Sequence, residues 1–230
     1  MKLNELKRTY QFPQSTVDTA KNFYRKIPTF SYDSNGNLDA NNFDDDGNLI
    51  EDELDYLSDE ELVNNMRNIG WTEAHTKGYY SNVFLKPGEP YAIKINKRLD
   101  RSYAWFALIA AKFPNEHFPK IGNAKIFKVG SDNYRMYAIE KLKPFEYTEE
   151  RHIIANLCRW SASTKEDTQQ QLSYWKEFEN MIPTLKEQTN GLISACQILQ
   201  KYNKGFFVDI HYNNIMLRNN TVVITDPFTV

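Results

Sequence analysis

Apolar positions change their period along the chain, and the change falls near Gly70. Residues 14–26, QSTVDTAKNFYRK, suit a short helix, and SYDSNGNLDANNFDDDGNLIEDEL follows, rich in Asp, Asn and Gly. Its NGNL and DGNL units carry Asn-Gly and Asp-Gly pairs that favour tight turns. Ser58 opens a helix, because SDEE has the Ser-x-x-Glu capping pattern with acids in the first turn, and Gly70 ends it. From Trp71 to Asn96 the pattern turns to strands. GYYSNVFL and PYAIKIN are β-branched and aromatic runs on either side of KPGE, so they predict a hairpin. DRSYAWFALIAAKF is apolar nearly all round and predicts a buried helix. AKIFKVGSDNYRMYAIEKL predicts a second hairpin about Gly130-Ser131-Asp132-Asn133.

The rest is helical until the last stretch. Thr148 caps EERHIIANLCRWSA, a long segment spans Glu166 to Lys186, and Asn190 caps GLISACQILQKYN, with Gly205 suited to the helix stop. A strand-rich half followed by a helix-rich half is an α+β arrangement of two lobes. The chain then closes with GFFVDIHYNNIMLRNNTVVITDPF. Taking Asn219-Asn220 as the turn sets Arg218 against Thr221 and Asn214 against Thr225, because asparagine tolerates the positive φ such turns need. Asp226 then lies beside Asn214, with Asp209 five residues upstream. Three oxygen-bearing side chains at one edge suit a hard cation, Mg²⁺ above all when phosphates complete its shell.

Composition narrows the classes. With 230 residues, 41% apolar and 25% charged, the chain can bury a core of its own. A formal net charge of −2 excludes a general nucleic-acid binder. Two cysteines, Cys158 and Cys196, have no partner at metal-ligand spacing and point to a reducing, cytoplasmic setting. The start MKLNELKRTYQF has no apolar signal core, and no run approaches membrane-spanning length. His75, His117 and His152 read as structural. Asn42, Asp44, Asp46, Gly47, Leu49 and Glu53 fall at calcium-loop positions, but Asn opens the loop and no helix enters it, so the segment reads as an acidic linker.

The pattern Asp209-x-His211-x-x-Asn214, apolar strand, turn, apolar-x-Asp226 resembles the catalytic loop and metal-binding segment of the protein-kinase-like fold. YAIKIN matches that family's Val-Ala-Ile-Lys strand at Tyr91 to Lys94. Gly78 to Val83 occupies the phosphate-loop hairpin, DRSYAWFALIAA the lobe helix, and Glu140 to Leu142 the hinge. Over residues 66–230 the chain is similar to the early serine/threonine protein kinases of lytic T-seven-type coliphages. They share Asp-x-His-x-x-Asn-Ile-Met and Ile-Thr-Asp-Pro, here ending at Met216 and Pro227. The chain departs from the family in having one glycine in the phosphate loop and no glutamate in the lobe helix. Phe207-Val208 replaces His-Arg, and only four residues follow Asp226.

The resemblance implies a two-lobed minimal protein-kinase-like fold of α+β class. Residues 1–57 would be an extension, 58–142 an N-lobe with antiparallel sheet, helix and hinge, and 143–230 a reduced helical C-lobe ending in a β-hairpin. It implies an ATP- and Mg²⁺-dependent phosphotransferase acting on serine or threonine hydroxyls of host proteins. Asp209 would accept the hydroxyl proton, with His211 beside the phosphates. Asn214 and Asp226 would hold Mg²⁺, while Lys94 and Gly78 meet the phosphates and Glu140 and Leu142 the adenine. No nucleic-acid or membrane partner is expected. Two alternatives keep the fold: a pseudokinase acting as an interaction module, and a small-molecule kinase of the antibiotic-phosphotransferase type.

Overall fold

The computed structural model describes residues 12–24, 51–74, 81–96, 101–122, 124–129, 132–145 and 148–229. Gly78, residues 42–50 of the acidic segment and the turn residues 130–131 lie outside them. The described chain is mixed α+β, with helices gathered late in the sequence and an antiparallel sheet early. It divides into two compact units: the described parts of 7–98 with 123–138, and those of 99–122 with 139–230.

The first unit is the sheet unit. It holds α1 (Gln14–Tyr24), α2 (Glu51–Asn68), β1 (Thr72–Glu73), β2 (Ser81–Leu85), β3 (Tyr91–Asn96), β4 (Lys125–Val129) and most of β5 (Asp132–Glu140), with sheet order β1-β2-β3-β5-β4. Helix α2 starts at Glu51, earlier than the Ser58 capping pattern predicts. It ends as predicted near Gly70. The Gly70 N–H donates to Arg67 O at 2.9 Å and the Trp71 N–H to Met66 O at 3.0 Å, with Gly70 at φ +87°. Those bonds satisfy the last carbonyls, and the left-handed residue suits glycine. Trp71, fully buried, donates from Nε1 to Thr16 Oγ1 and so ties the end of α2 to α1. The β2–β3 hairpin runs in register from Ser81↔Asn96 to Phe84↔Ile93, with Gly88 at φ +80° in its turn. In the second hairpin Val129 pairs with Asp132, so Asp132-Asn133, expected in the turn, belong to strand β5.

The second unit holds α3 (Arg101–Lys112), β6 (Lys143–Pro144), α4 (Thr148–Ser163), α5 (Thr168–Glu179), α6 (Thr189–Tyr202), β7 (Phe207–Val208), β8 (Ile215–Arg218), β9 (Thr221–Ile224) and β10 (Phe228–Thr229). Helix α3 is less uniformly buried than its composition suggests. Ser102, Tyr103, Phe106, Ile109 and Ala110 form the buried stripe, and Leu108 is 60% exposed. The stripe has helical period. Its docking on α6 is specific: Trp105 Nε1 donates to Tyr202 O at 2.7 Å and Phe113 stacks on Tyr202 at 4.1 Å.

The expected segment from Glu166 to Lys186 is broken. Asp167 caps α5 by accepting from the N–H groups of Gln169 and Gln170, and the helix stops at Asn180. Pro183, which has no N–H to continue an α-helix, opens a 3₁₀ turn at Pro183–Leu185. Helix α6 then begins at Thr189 behind Gln188 rather than behind Asn190. Between α4 and α6 lie the buried free thiols Cys158 and Cys196. The hydrogen bond with Cys196, together with burial, pushes the Cys158 thiol well up from its ordinary value.

The closing hairpin follows the predicted register. Arg218 pairs with Thr221, Ile215 with Ile224, and Asn219 takes φ +55° in the two-residue turn. Strand order in that sheet is β6-β8-β9. One pairing was not foreseen: β10 returns to β7, with Phe228↔Val208 and Thr229↔Phe207. Among the described residues no helix is long and apolar enough to cross a membrane.

Candidate active site

Gly205, at φ +89°, and Asn203 turn the chain out of α6. Asn203 accepts the Phe206 N–H at Oδ1 and donates from Nδ2 to Phe206 O, closing a small ring that aims the chain into β7. Pairing with β10 carries the strand to Asp209, whose N–H donates to Pro227 O at 2.8 Å. Five residues on, Asn214 Nδ2 donates to Asp209 O at 2.7 Å, and Asn214 O accepts the Thr225 N–H at 2.9 Å. Residues 225–227 are thereby held to Asn214 on one side and Asp209 on the other, with Asp226 in the middle. The carbonyl acceptor requires the amide nitrogen, so Asn214 Oδ1 is the atom left for another partner.

His211 occupies the loop between them. Its Nδ1 accepts the Asn213 N–H at 3.2 Å, so the neutral ring carries its proton on Nε2, which lies 3.8 Å from Asp209 Oδ2. Both side chains are partly exposed, at 36% for His211 and 45% for Asp209. The neighbouring Ile210 is fully buried, so the loop is anchored by its apolar residue while its acid faces outward.

Two arginines of α4 hold this loop by its carbonyls. Arg159 Nε donates to Ile210 O at 3.0 Å and Arg151 Nε to Ile215 O at 3.2 Å. Arg151 also lies over the Tyr212 ring, which His152 approaches at 4.3 Å. The basic groups that hold the backbone of the loop therefore come from α4. Nothing in the spacing of the sequence pointed to them, because each acceptor is a backbone carbonyl more than fifty residues away.

No family model matches the chain, and no curated protein matches it. Among solved structures it is similar to a ternary complex of streptomycin, ATP and APH(2")-IIa, at 14% identity over 78% of this chain and 70% of that one. The TM-score is 0.29. A likeness that loose carries no argument about site or activity.

The other expected residues lie as follows. Lys94, 4% exposed, sits opposite Val83 in a strand whose six residues are all buried. Side chains alternate along a strand, so Lys94 shares its face with Asn96 and with the opposing Ser81, also buried. That polar stripe inside the sheet unit was not anticipated beyond the lysine. Glu140 is engaged by its side chain: it receives Arg218 Nε at 2.7 Å and Nη2 at 2.5 Å. Its own N–H donates to Lys120 O at 2.9 Å. Leu142 is half-buried in the link between β5 and β6. Among the described residues no three His, Cys, Asp or Glu side chains gather as a metal centre. The candidate set at the loop is two aspartates and an asparagine, an all-oxygen donor set whose chemistry fits Mg²⁺ only with phosphate oxygens added.

Proposed function

We propose that the chain is an ATP-dependent phosphotransferase with a protein-kinase-like fold, acting on hydroxyls of protein side chains. The observation that carries this reading is the closure of Asp209, Asn214 and Asp226 by three hydrogen bonds around residues 225–227. In this reading Asn214 Oδ1 and Asp226 hold Mg²⁺, which when bound supplies positive charge to the phosphate oxygens. Asp209, exposed at the loop, orients the acceptor hydroxyl and takes its proton. Lys94 offers an ammonium to the phosphates. Residues 140–142 lie along the adenine, with Leu142 supplying apolar contact. The fixed backbone hydrogen bonds of the loop mean these groups need little rearrangement, and positioning of this kind carries most of the acceleration in phosphoryl transfer.

The surroundings of Asp209 bear on the acceptor. Arg151, Arg159, His152 and His211 flank the loop, which disfavours a polycationic small molecule and favours a protein hydroxyl. Purified protein incubated with γ-labelled ATP and Mg²⁺ is expected to transfer label to itself or to cellular proteins. Asp226→Ala should abolish turnover and Mg²⁺-dependent nucleotide binding. Asp209→Asn should lower turnover at least about 100-fold while leaving nucleotide binding within twofold. Equal losses of binding in both variants would overturn these roles, and no transfer by the unaltered protein would favour the pseudokinase alternative.

A further inference from the structure

Strand β9 lies at the edge of its sheet, with β8 on one side only. Residues 221, 223 and 225 bond inward to β8, so the peptide groups of 220, 222 and 224 face outward. An unpaired strand edge is costly when buried, and Val222, Val223 and Ile224 are fully buried. Two residues complete it. Gln188 Nε2 donates to Asn220 O at 2.8 Å, and Gln188 Oε1 accepts the Val222 N–H at 2.8 Å. His117 continues the row: its Nδ1–H donates to Val222 O at 2.7 Å, and its own carbonyl accepts the Ile224 N–H at 2.9 Å. Its imidazole stands in for the amide of a missing strand.

The ring is held in that role from every side. It is fully buried, and Asn115 Oδ1 accepts the His117 N–H at 2.8 Å. A Cβ at Gly191, in the first turn of α6, would run into Nε2 and stand 2.9 Å from Cδ2, so glycine there makes room for the imidazole. Donation from Nδ1 leaves Nε2 as the ring's bare nitrogen, and it has no hydrogen-bond partner.

We propose that His117 is a positioning residue for Asp226: its imidazole on Val222 O holds the outer edge of β9 in the register that lets its main-chain carbonyl take the Ile224 N–H, and so fixes where the chain leaves the sheet, two residues before the carboxylate. This rests on the reading of Asp226 as a cation ligand. Groups that orient a ligand without touching the metal typically change its affinity about 10- to 100-fold when removed.

The test uses the full chain with His117→Ala, His117→Asn and Gly191→Ala. Asparagine can present an amide N–H near the place of Nδ1, and alanine cannot. Two quantities are read: the Mg²⁺ concentration giving half of the ATP-induced thermal shift, and amide hydrogen exchange at residues 222–225. His117→Ala is expected to raise half-saturating Mg²⁺ about 10-fold and to speed exchange at 222–225, with Mg²⁺-free ATP affinity unchanged. His117→Asn should stay near the unaltered protein, and Gly191→Ala should follow His117→Ala by displacing the ring. Equal behaviour of the alanine and asparagine variants, or faster exchange with unchanged Mg²⁺ demand, would overturn the positioning role. An unaltered protein with no Mg²⁺-ATP response would instead overturn the phosphotransfer reading, and with it the cation that His117 is assigned to position.

Discussion

Arg218 joins three separate stretches of chain through one guanidinium. It meets the Glu140 carboxylate with two nitrogens, and donates to Glu116 O at 2.6 Å and Phe118 O at 2.9 Å. Lysine has no planar fork and could satisfy at most part of this set. Arg218→Ala would leave a largely buried carboxylate and two carbonyls without donors, and should cost about 3 kcal/mol in urea unfolding. Acid stability at this scale has two steps. Burial holds His117 below its ordinary 6.5. The unfolded chain therefore takes that proton first, and the stability present above this value is lost as pH falls through it. For Glu140 burial pushes the carboxyl up, but the Arg218 hydrogen bonds and charge, with the Lys120 N–H, outweigh it and hold it below 4.5. Its contribution is complete above that value and disappears on further acidification. Unfolding free energies measured between about pH 8 and 3 should show both declines, with His117→Asn lacking the upper and Arg218→Ala the lower. His117 read as structural, but the contacts of these residues were illegible in the sequence. His117 and its acceptor are 105 positions apart, and a side chain that bonds a distant carbonyl imposes no spacing on its neighbours.

Elements were easier to foresee where a local rule fixes them. Pro87-Gly88 and Asn219-Asn220 each mark a turn whose backbone demands those residues, and the hairpins on either side of them form. Helix starts were less legible. The capping pattern at Ser58 lies inside α2 rather than at its start. The β7–β10 pairing was missed because two-residue strands have no period to detect, though it sets the approach to Asp209. At the end of α2, Gly70 combines φ +87° with a Cβ direction that would meet Lys86 Cε at 3.3 Å. Lys86 Nζ in turn donates to Ile69 O at 3.0 Å. Gly70→Ala should therefore cost about 1–2 kcal/mol from the left-handed backbone alone. Because the cost arises within the sheet unit, the Mg²⁺ requirement should not change; a denaturant titration and a Mg²⁺ titration check the two halves of that statement.

At the scale of the whole molecule, Lys94 belongs to the sheet unit, and Asp209, Asn214 and Asp226 to the other. Binding to the folded state alone stabilises it, so ATP with Mg²⁺ at one hundred times its Kd should add about 2.7 kcal/mol. For a chain of this length that corresponds to a rise in Tm of roughly 5 to 10 °C. Chelation of the metal, Asp226→Ala or Lys94→Met should each remove most of it, as scanning calorimetry would show. The covered margin of β9 has a different consequence for how copies of the molecule meet. Its sealing depends on the Gln188 and His117 side chains and one main-chain carbonyl, that of His117. Strands of Thr, Val and Ile are good templates for recruiting a foreign strand once their rim is bared. The same pair that completes the hairpin thus also guards the protein against self-association.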